Sequence, residues 1–330
     1  MHKKNSRQPA SGWLVTWVMA TVLLMVLPPV ADAQSALSFC SSRDNRANFD
    51  GDCKTDISVF ERGTGNWLSL DSSSGNANYV SFAWGQSGDI PVPGDYNADG
   101  KTDRAVFRPG NGTWYVATNT SGSSFAVQFG SSGDIPVARD YDGDGKTDIA
   151  VFRPSDTTWY ILRSTDSGVT YVQFGLSGDR PVPGHYDSDN YADVAVFRPS
   201  DATWYIRRAD GTFYSVVFGV TSDFPVQADY DGDGKTDVAV FRPGAGYWYI
   251  LNSSNNSFQS VRWGESGDQP VPGDYDGDGR ADVAVQRPGT GAWYIRNWHT
   301  PCDWTTGTCS AFFFFTGFPV PAAYLPLIYW

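Results

Sequence analysis

The side chains best equipped for chemistry are the carboxylates of Asp229-Tyr230-Asp231-Gly232-Asp233-Gly234-Lys235-Thr236-Asp237. With Asp229 as loop position 1, acidic residues stand at positions 1, 3, 5 and 9, a glycine at position 6, and the apolar run Val238-Ala239-Val240-Phe241 follows. Hard oxygen donors packed this densely on one turn suit Ca²⁺, which takes about six to eight oxygens and tolerates irregular geometry. The loop is no EF-hand, because Val240 stands where a bidentate Glu would be needed and no helix pattern flanks it. Asp237 is therefore expected to close the cage, with the position-7 carbonyl of Lys235 pointing inward.

The pattern recurs at starts Asn48, Asp95, Asp140, His185, Asp229 and Asp274, a period of about 45 residues. Two further loops carry four carboxylates each: Asp140, Asp142, Asp144 and Asp148, with Lys146 at position 7, and Asp274, Asp276, Asp278 and Asp282, with Arg280. The Asp95 loop has Asn97 at position 3, still an oxygen ligand, followed by Asp99, Lys101 and Asp103. The first loop offers Asn48, Asp50, Asp52, Lys54 and Asp56, with Cys53 in the glycine's place. The His185 loop is the poorest candidate, since imidazole is a weak Ca²⁺ ligand. Its Asp187, Asp189 and Asp193 could still hold an ion, with water at the first position, and Asn190 replaces glycine there as a residue that tolerates left-handed backbone. Solvated acidic turns without metal are the competing reading. Against it, two carboxylates about 4 Å apart repel by about 4 kcal/mol at an effective dielectric near 20, so a crowded loop without a cation should open or protonate.

These loops need a scaffold that repeats with them. A unit holds an extended Ile135-Pro136-Val137, the acidic loop, Ile149-Ala150-Val151-Phe152, Thr158-Trp159-Tyr160-Ile161-Leu162 and Val169-Thr170-Tyr171-Val172-Gln173. Short β-branched and aromatic runs between Gly, Pro, Ser and Asp turns, with no helical pattern, predict four antiparallel strands per unit, here A to D. The expected fold is all-β, a β-propeller of four-stranded blades. Trp114, Trp159, Trp204, Trp248 and Trp293 each precede a Tyr on strand C, with Trp67 as the first unit's counterpart. Core packing between blades is the plainer reading of these tryptophans, and a stacked ligand the other. Arg108, Arg153, Arg198, Arg242 and Arg287 recur at the end of strand B and are read as structural partners of nearby Asp or carbonyl groups.

The ends break the repeat. Ala36 to Phe39 reads as a strand D without a blade, and Phe318-Pro319-Val320 as a strand A without an acidic loop, with Leu325 to Trp330 as a following strand B. Edge strands must be hidden, so the two ends are expected to build one shared closing blade beside six full repeats. That favours seven blades, with six as the other closure. Phe312 to Phe315 is read as a covered strand near the closure or as a sticky patch.

Residues 1–33 have the layout of a secretory signal peptide: Lys3, Lys4 and Arg7, an apolar run from Trp13 to Val30, and Ala31-Asp32-Ala33. An uncleaved anchor is the competitor, and no other run is long enough to span a bilayer. Residues 34–330 are then a single propeller domain, located outside the cell or at its surface, the periplasm included. The formal charge of -12 argues against nucleic acid and anionic membranes as partners. Cys302 with Cys309 is the favoured disulfide, since the short segment between them could close a hairpin, and Cys40 with Cys53 follows by exclusion.

The Asp-x-Asp-Gly-Asp-Gly-x-x-Asp loops leading to Ala-Val-Phe, with Phe129-Gly130, Phe174-Gly175 and Phe218-Gly219 ahead of the next units, resemble FG-GAP or VCBS repeats. Such repeats are similar to the calcium-binding blades of integrin α-subunit propellers and of some lectins. The resemblance runs from about Phe39 to Tyr324. It implies a propeller with Ca²⁺ in the loops between strands A and B. It names no ligand, because the family spans adhesion, glycan binding and accessory roles. Departures at His185, Cys53 and Ala323 put metal at those places in doubt.

A catalytic reading needs a constellation that the repeat does not explain. Of three histidines, His2 falls in the leader, His185 replaces a loop Asp, and His299 stands alone. No Ser-His-Asp set, zinc motif or phosphate loop is present. The expectation is a calcium-bound module that binds a glycan or an extracellular protein, with no catalytic residues. A polysaccharide lyase or hydrolase on the same fold is the alternative.

Overall fold

Each acidic loop is followed by a run such as Ile149–Arg153 whose first four side chains are all buried. A strand apolar on both faces needs cover from both sides, and here it comes from the blades before and after. The tertiary contacts show this directly: Phe107 packs with Val151 of the next unit, and Phe152 with Val196 of the one beyond. Strand C alternates instead. In Thr158–Leu162, Trp159 and Ile161 are buried while Tyr160 is half-exposed, as a period-two strand with one covered face should be.

The computed structural model describes residues 47–119 and 122–297, together with the backbone of Phe312–Phe315 and Tyr324–Pro326. All belong to the unit Cys40–Trp330. They form six four-stranded antiparallel sheets, the blades of a six-bladed β-propeller. Blades 2 to 5 follow the chain in order; blade 5, for example, runs Phe224–Pro225, Val238–Arg242, Tyr247–Leu251 and Phe258–Arg262. Blade 6 takes Gln269–Pro270, Val283–Arg287, Ala292–Arg296 and Phe312–Phe315. Phe312–Phe315 is thus an ordinary strand D, paired with strand C from Trp293↔Phe315 to Arg296↔Phe312. Among the described residues no helix is long and apolar enough to cross a membrane.

The expected seventh blade is corrected by the pairing of the last strand. Tyr324–Pro326 lies antiparallel to Ile57–Glu61, with Leu325 opposite Phe60 and Pro326 opposite Val59. That register repeats Ile135 opposite Phe152 and Pro136 opposite Val151 in blade 3. The C-terminal strand is therefore strand A of blade 1, beside Ile57–Glu61, Asn66–Leu70 and Tyr79–Ala83. Leu325-Pro326 takes the role that the sequence assigned to Phe318-Pro319, and the segment read as strand B begins a strand A. The first unit lacked a strand of its own, so the orphan completes it and no blade is added. Closure through a strand from the far end also leaves no exposed edge between the first and last blades.

The leader, Ala36 to Phe39, Phe318 to Val320, and Cys40, Cys302 and Cys309 lie outside the described residues.

Core chemistry explains the repeated signature residues. Trp114, Trp159, Trp204 and Trp248 have no exposed surface. Each indole N–H donates to a carbonyl at the end of its own blade, as Trp248 does to Trp263 O at 2.8 Å. They are structural, which settles the choice between core and ligand platform. Each strand-B arginine closes on a buried aspartate just before strand A: Arg242 Nε and Nη2 donate to Asp223 Oδ1 and Oδ2 at 2.8 and 2.9 Å. Arg108 with Asp89, Arg153 with Asp134, Arg198 with Asp179 and Arg287 with Asp268 repeat the pair. Breaking such a pair from one side would strand a buried carboxylate at a cost of about 3–5 kcal/mol. The glycine of Phe129-Gly130 has φ 133°, and a Cβ there would lie 3.0 Å from the Phe107 ring. This is why the unit ends in Phe-Gly.

Candidate metal centre

The acidic loops leave strand A and return as strand B, and the backbone ties them into one ring. The N–H of position 8 in each loop donates to the position-1 carbonyl of the loop before it. Thr102 reaches Asn48, Thr147 Asp95, Ala192 Asp140, Thr236 His185, Ala281 Asp229, and Thr55 closes the circle on Asp274, all within 2.6–2.8 Å. Six loops joined head to tail confirm the blade count independently of the strands. Position 8 carried no signal in the sequence reading. Its role shows in Gly94, Gly184 and Gly273, where an added Cβ would lie 2.6–2.7 Å from the hydroxyls of Thr147, Thr236 and Thr55.

Within a loop the position-9 carboxylate is the anchor. Asp237, without exposed surface, accepts the Tyr230 N–H at 2.8 Å and the Ser253 N–H at 2.6 Å, so it joins the loop to the turn between strands C and D. Tyr230, buried beside it, donates its hydroxyl to Val226 O, just after strand A, at 2.6 Å. The position-1 carboxylate folds the loop: Asp229 Oδ1 accepts from Gly232 and Oδ2 from Gly234, at 2.6 and 2.8 Å. Both glycines are left-handed, φ 79° and 82°, which gives their presence a steric reason.

This folding brings carboxylates from positions 1, 3 and 9 together. Asp140, Asp142 and Asp148, then Asp229, Asp231 and Asp237, then Asp274, Asp276 and Asp282 each present three oxygens lying within 4.8 Å of one another. The position-5 carboxylates are directed elsewhere. Asp144, Asp233 and Asp278 accept the N–H of Lys146, Lys235 and Arg280 at 2.8–2.9 Å, and Asp233 also takes Ser253 Oγ and Lys235 Nζ.

The three remaining loops differ in ways that can be traced to single residues. In the first, Asn48 repeats the folding bond to Gly51 at 2.9 Å, and Cys53 stands left-handed at φ 72° in the glycine's place. Its trio is Asp50, Asp56 and Asp71. Asp71 lies outside the loop, just after strand C, and was missed. The signal was available, since Asp71 is the one acid where the other units read Thr118, Arg163, Arg208, Asn252 and Asn297. Asp52 accepts the Lys54 N–H and the Ser72 hydroxyl. In the second loop Asn97 removes one carboxylate and donates to Asp99 Oδ2 at 3.1 Å. Asp95 caps Asn97, Asp99 and Gly100 N–H groups. Lys101 accompanies the turn, and Asp103 anchors Tyr96 and Asn119.

The fourth loop is rebuilt. His185 is buried, and its ring nitrogen Nδ1 lies 3.2 Å from the Tyr191 carbonyl, a donor where the other loops place an acceptor. Neither Ser188 nor Asn190 is left-handed, so the tolerance expected of Asn190 is not used. Asp193 keeps the anchoring bonds to Tyr186 and Ala209. Asp189 accepts the Tyr191 N–H at 2.9 Å, and Asp187 Oδ2 stands 3.5 Å from Arg208 Nε. The guanidinium thus stands at the oxygen that the Thr165 and Ser254 hydroxyls hold on Asp142 and Asp231.

Electrostatics separates the positions further. Burial pushes the anchors Asp56, Asp148, Asp193 and Asp237 up to about 7, against hydrogen bonds that pull the other way. Burial also raises Asp229 and Asp274 to about 6. These groups resist ionising in the bare loop and would ionise readily beside a cation. A hard divalent ion suits the donor set, and one atom asks for it directly. Asp142 Oδ1 is buried with no hydrogen-bond partner, while Asp142 Oδ2 is held by the N–H and hydroxyl of Thr165.

Residues 95–151 and 229–285 match the family model of the FG-GAP-like repeat, and residues 132–172 that of the FG-GAP repeat. No curated protein matches the chain. Among solved structures, a streptogramin B lyase is 10% identical over 74% of this chain and 80% of its own, with a TM-score of 0.50. An Agrocybe aegerita lectin that recognises non-reducing terminal N-acetylglucosamine is 18% identical over 73% and 72%, with a TM-score of 0.49. A virginiamycin B lyase from Staphylococcus aureus is 9% identical over 74% and 82%, with a TM-score of 0.48. At such identities the first of these likenesses speaks for the fold alone.

Proposed function

We propose that this chain, which carries FG-GAP repeats, is a calcium-clipped β-propeller that acts outside the cell as a binding module for a glycan or a protein. The observation that carries the metal reading is the repeated trio of carboxylates, with the open Asp142 Oδ1 at one of them. Asp140, Asp142 and Asp148, Asp229, Asp231 and Asp237, and Asp274, Asp276 and Asp282 would hold the ions, with Asp50, Asp56 and Asp71 as a fourth set. Bound Ca²⁺ would supply the positive charge that lets these buried acids ionise together. The chain's own residues do the rest: position 9 joins loop to turn, and position 8 passes the restraint to the neighbouring blade.

A binding role rather than turnover is supported by the one described histidine. His185 is 4% exposed, with its ring Nδ1 3.2 Å from the Tyr191 carbonyl, so among the described residues no exposed imidazole stands ready as a general base. The test is calorimetric titration of EDTA-stripped protein with Ca²⁺, followed by thermal melts. Saturable uptake by at least three sites and a higher melting temperature are expected. Unchanged melting with no heat of binding would overturn the metal reading, and turnover of a polysaccharide panel would overturn the binding-module reading.

A further inference from the structure

Blades 1 and 2 depart from the other units at two places that meet. The residue just after strand C is Asp71 in blade 1, where the others have Thr118, Arg163, Arg208, Asn252 and Asn297. The first residue of strand B is Arg104 in blade 2, where the others have Ile57, Ile149, Val194, Val238 and Val283. One acid and one base thus enter the same junction.

Asp71 makes good a loss. Loop 1 has Asn48 and so no carboxylate at position 1, and Asp71 supplies the third acid, with an oxygen within 4.8 Å of those of Asp50 and Asp56. Its two companions are already held. Asp50 accepts from the Asp52 and Ser73 N–H groups, and Asp56 from those of Phe49 and Ser72. Among the described residues nothing donates to the Asp71 carboxylate.

Arg104 reaches into blade 1 from the other side. It is 7% exposed, and its guanidinium lies 4.4 Å over the Phe49 ring of loop 1 and 5.2 Å over Phe82 of strand D. Its hydrogen bonds go to neutral groups only, Ser69 Oγ and Asn119 Oδ1, both at 3.2 Å, and its Nε is buried with no hydrogen-bond partner. A cation buried in this way needs anions near it. Burial works against the Arg104 charge, and Asp71 and Asp56 are the acids that sustain it.

One set of carboxylates therefore answers to two cations, a guanidinium built into the chain and a divalent ion from outside. A buried like charge repels the incoming ion and is little screened by salt. The other trios lack this competitor. At the corresponding place the blades after 3, 5 and 6 carry Val194, Val283 and Ile57, and Arg163, near the blade 3 trio, carries its own counter-charge in Asp166. We propose that Arg104 makes the trio Asp50, Asp56 and Asp71 the weak, exchangeable calcium site, filled after those of blades 3, 5 and 6. The proposal rests on the metal reading above. Its place in the ring gives it a consequence. Asp56 directly precedes Ile57–Glu61, the strand that receives Tyr324–Pro326, so the seam of the propeller would tighten only at the higher calcium level.

The test titrates EDTA-stripped full chain with Ca²⁺ by calorimetry, with hydrogen–deuterium exchange followed peptide by peptide along the same titration. Three tighter ions and one weaker ion are expected, and exchange at Ile57–Glu61 should slow over the weak phase. Arg104→Val and Arg104→Met should tighten the weak site by about tenfold or more and leave the others as they are. Arg104→Lys keeps the charge and should keep the site weak, and Asp71→Asn should remove it and leave three ions. A cooperative melt reports folding of each variant. Unchanged affinities in both Arg104→Val and Arg104→Met would overturn the role of Arg104, and a fourth ion kept by Asp71→Asn would overturn the location. Three tight ions without a weaker one would overturn this inference and leave the calcium reading standing. No uptake at all by wild type would overturn both.

Discussion

Blades 4 and 5 occupy neighbouring places in one ring and share the bonds that hold it. Each has an anchoring aspartate, Asp193 or Asp237, on the same two backbone donors. They part at position 1, where His185 stands in place of Asp229, and at the position-3 carboxylate. Asp231 is steadied by Ser254 and gathered with Asp229 and Asp237, whereas Asp187 is met by Arg208. One blade thus presents three acids awaiting an outside cation, and the other carries its cation in the chain. On the proposed reading anchoring and metal capture are separable: position 9 anchors the loop in both blades, and positions 1 and 3 with the turn would decide what the loop can hold.

The harshest way to break the comparison is to withdraw the ion. Calcium at about 100 times its dissociation constant stabilises the folded chain by about 2.7 kcal/mol per site. With several sites, EDTA should lower the melting temperature by something on the order of 10 °C or more. Grafting the blade 4 loop, His185 to Asp193, in place of Asp229 to Asp237 should reduce that calcium-dependent gain by one site's worth. A gain unchanged by the graft would show that the two loops do not differ in metal capture.

A sharper version compares anchors. Asp237→Asn and Asp193→Asn both leave a backbone N–H facing an amide, at about 1–3 kcal/mol each. Only Asp237→Asn should also lose a share of the calcium gain, about 2–3 kcal/mol. Melts in EDTA and in Ca²⁺ separate the two costs, and equal calcium gains in both variants would contradict the assignment.

These differences were unevenly legible in the sequence. The period, the buried Ala-Val-Phe strands and the tryptophan cores could be read because each depends on residues close in the chain. The closure could not, because strand A is only two residues long in most blades and two X-Pro segments, Phe318-Pro319 and Leu325-Pro326, competed for it. Pairing with Ile57–Glu61 decided between them across almost the whole chain. The site was legible within a loop and opaque beyond it. Asp142 could be placed from spacing within its loop, and Asp71 only by comparing the units after strand C, but the position-8 ring and the Arg208 contact act between blades or turns, and spacing carries no information about those distances.

Acidity distinguishes the blades by sign. Asp237 ionises at about 7 in the folded chain and near 4 when unfolded. Between these values the folded state holds more protons, so this group's stabilisation is complete below about pH 4 and is lost as pH rises through 7. In EDTA the melting temperature should therefore fall from pH 5 to pH 8. Calcium reverses the sign for blade 5, since the ion displaces the proton and binds better as pH rises. Asp193 also ionises at about 7 but gains no ion, so Asp193→Asn should flatten the remaining downward slope in Ca²⁺. A slope in Ca²⁺ that Asp193→Asn leaves unchanged would argue that blade 4 is loaded as well.

The smallest effect is the most specific. Arg208 and Asp187 are 38% and 24% exposed and 3.5 Å apart, so solvent screens the pair and its loss should cost no more than about 1 kcal/mol. Arg208→Ser removes the internal cation and supplies nothing that Asp187 needs, because the turn still reads Ala209-Asp210 and His185 still fills position 1. Adding Ala209→Ser, Asp210→Ser and His185→Asp would restore a hydroxyl-bearing turn and the third carboxylate. The quadruple variant should then take up one more Ca²⁺ than wild type, counted by calorimetric stoichiometry, while Arg208→Ser alone takes up none. An extra ion bound by Arg208→Ser alone would mean that the guanidinium was the sole barrier and that the turn and position 1 do not matter. No extra ion in the quadruple variant would mean that the backbone of Ser188 and Asn190, neither of them left-handed, governs capture more strongly than the ligands do.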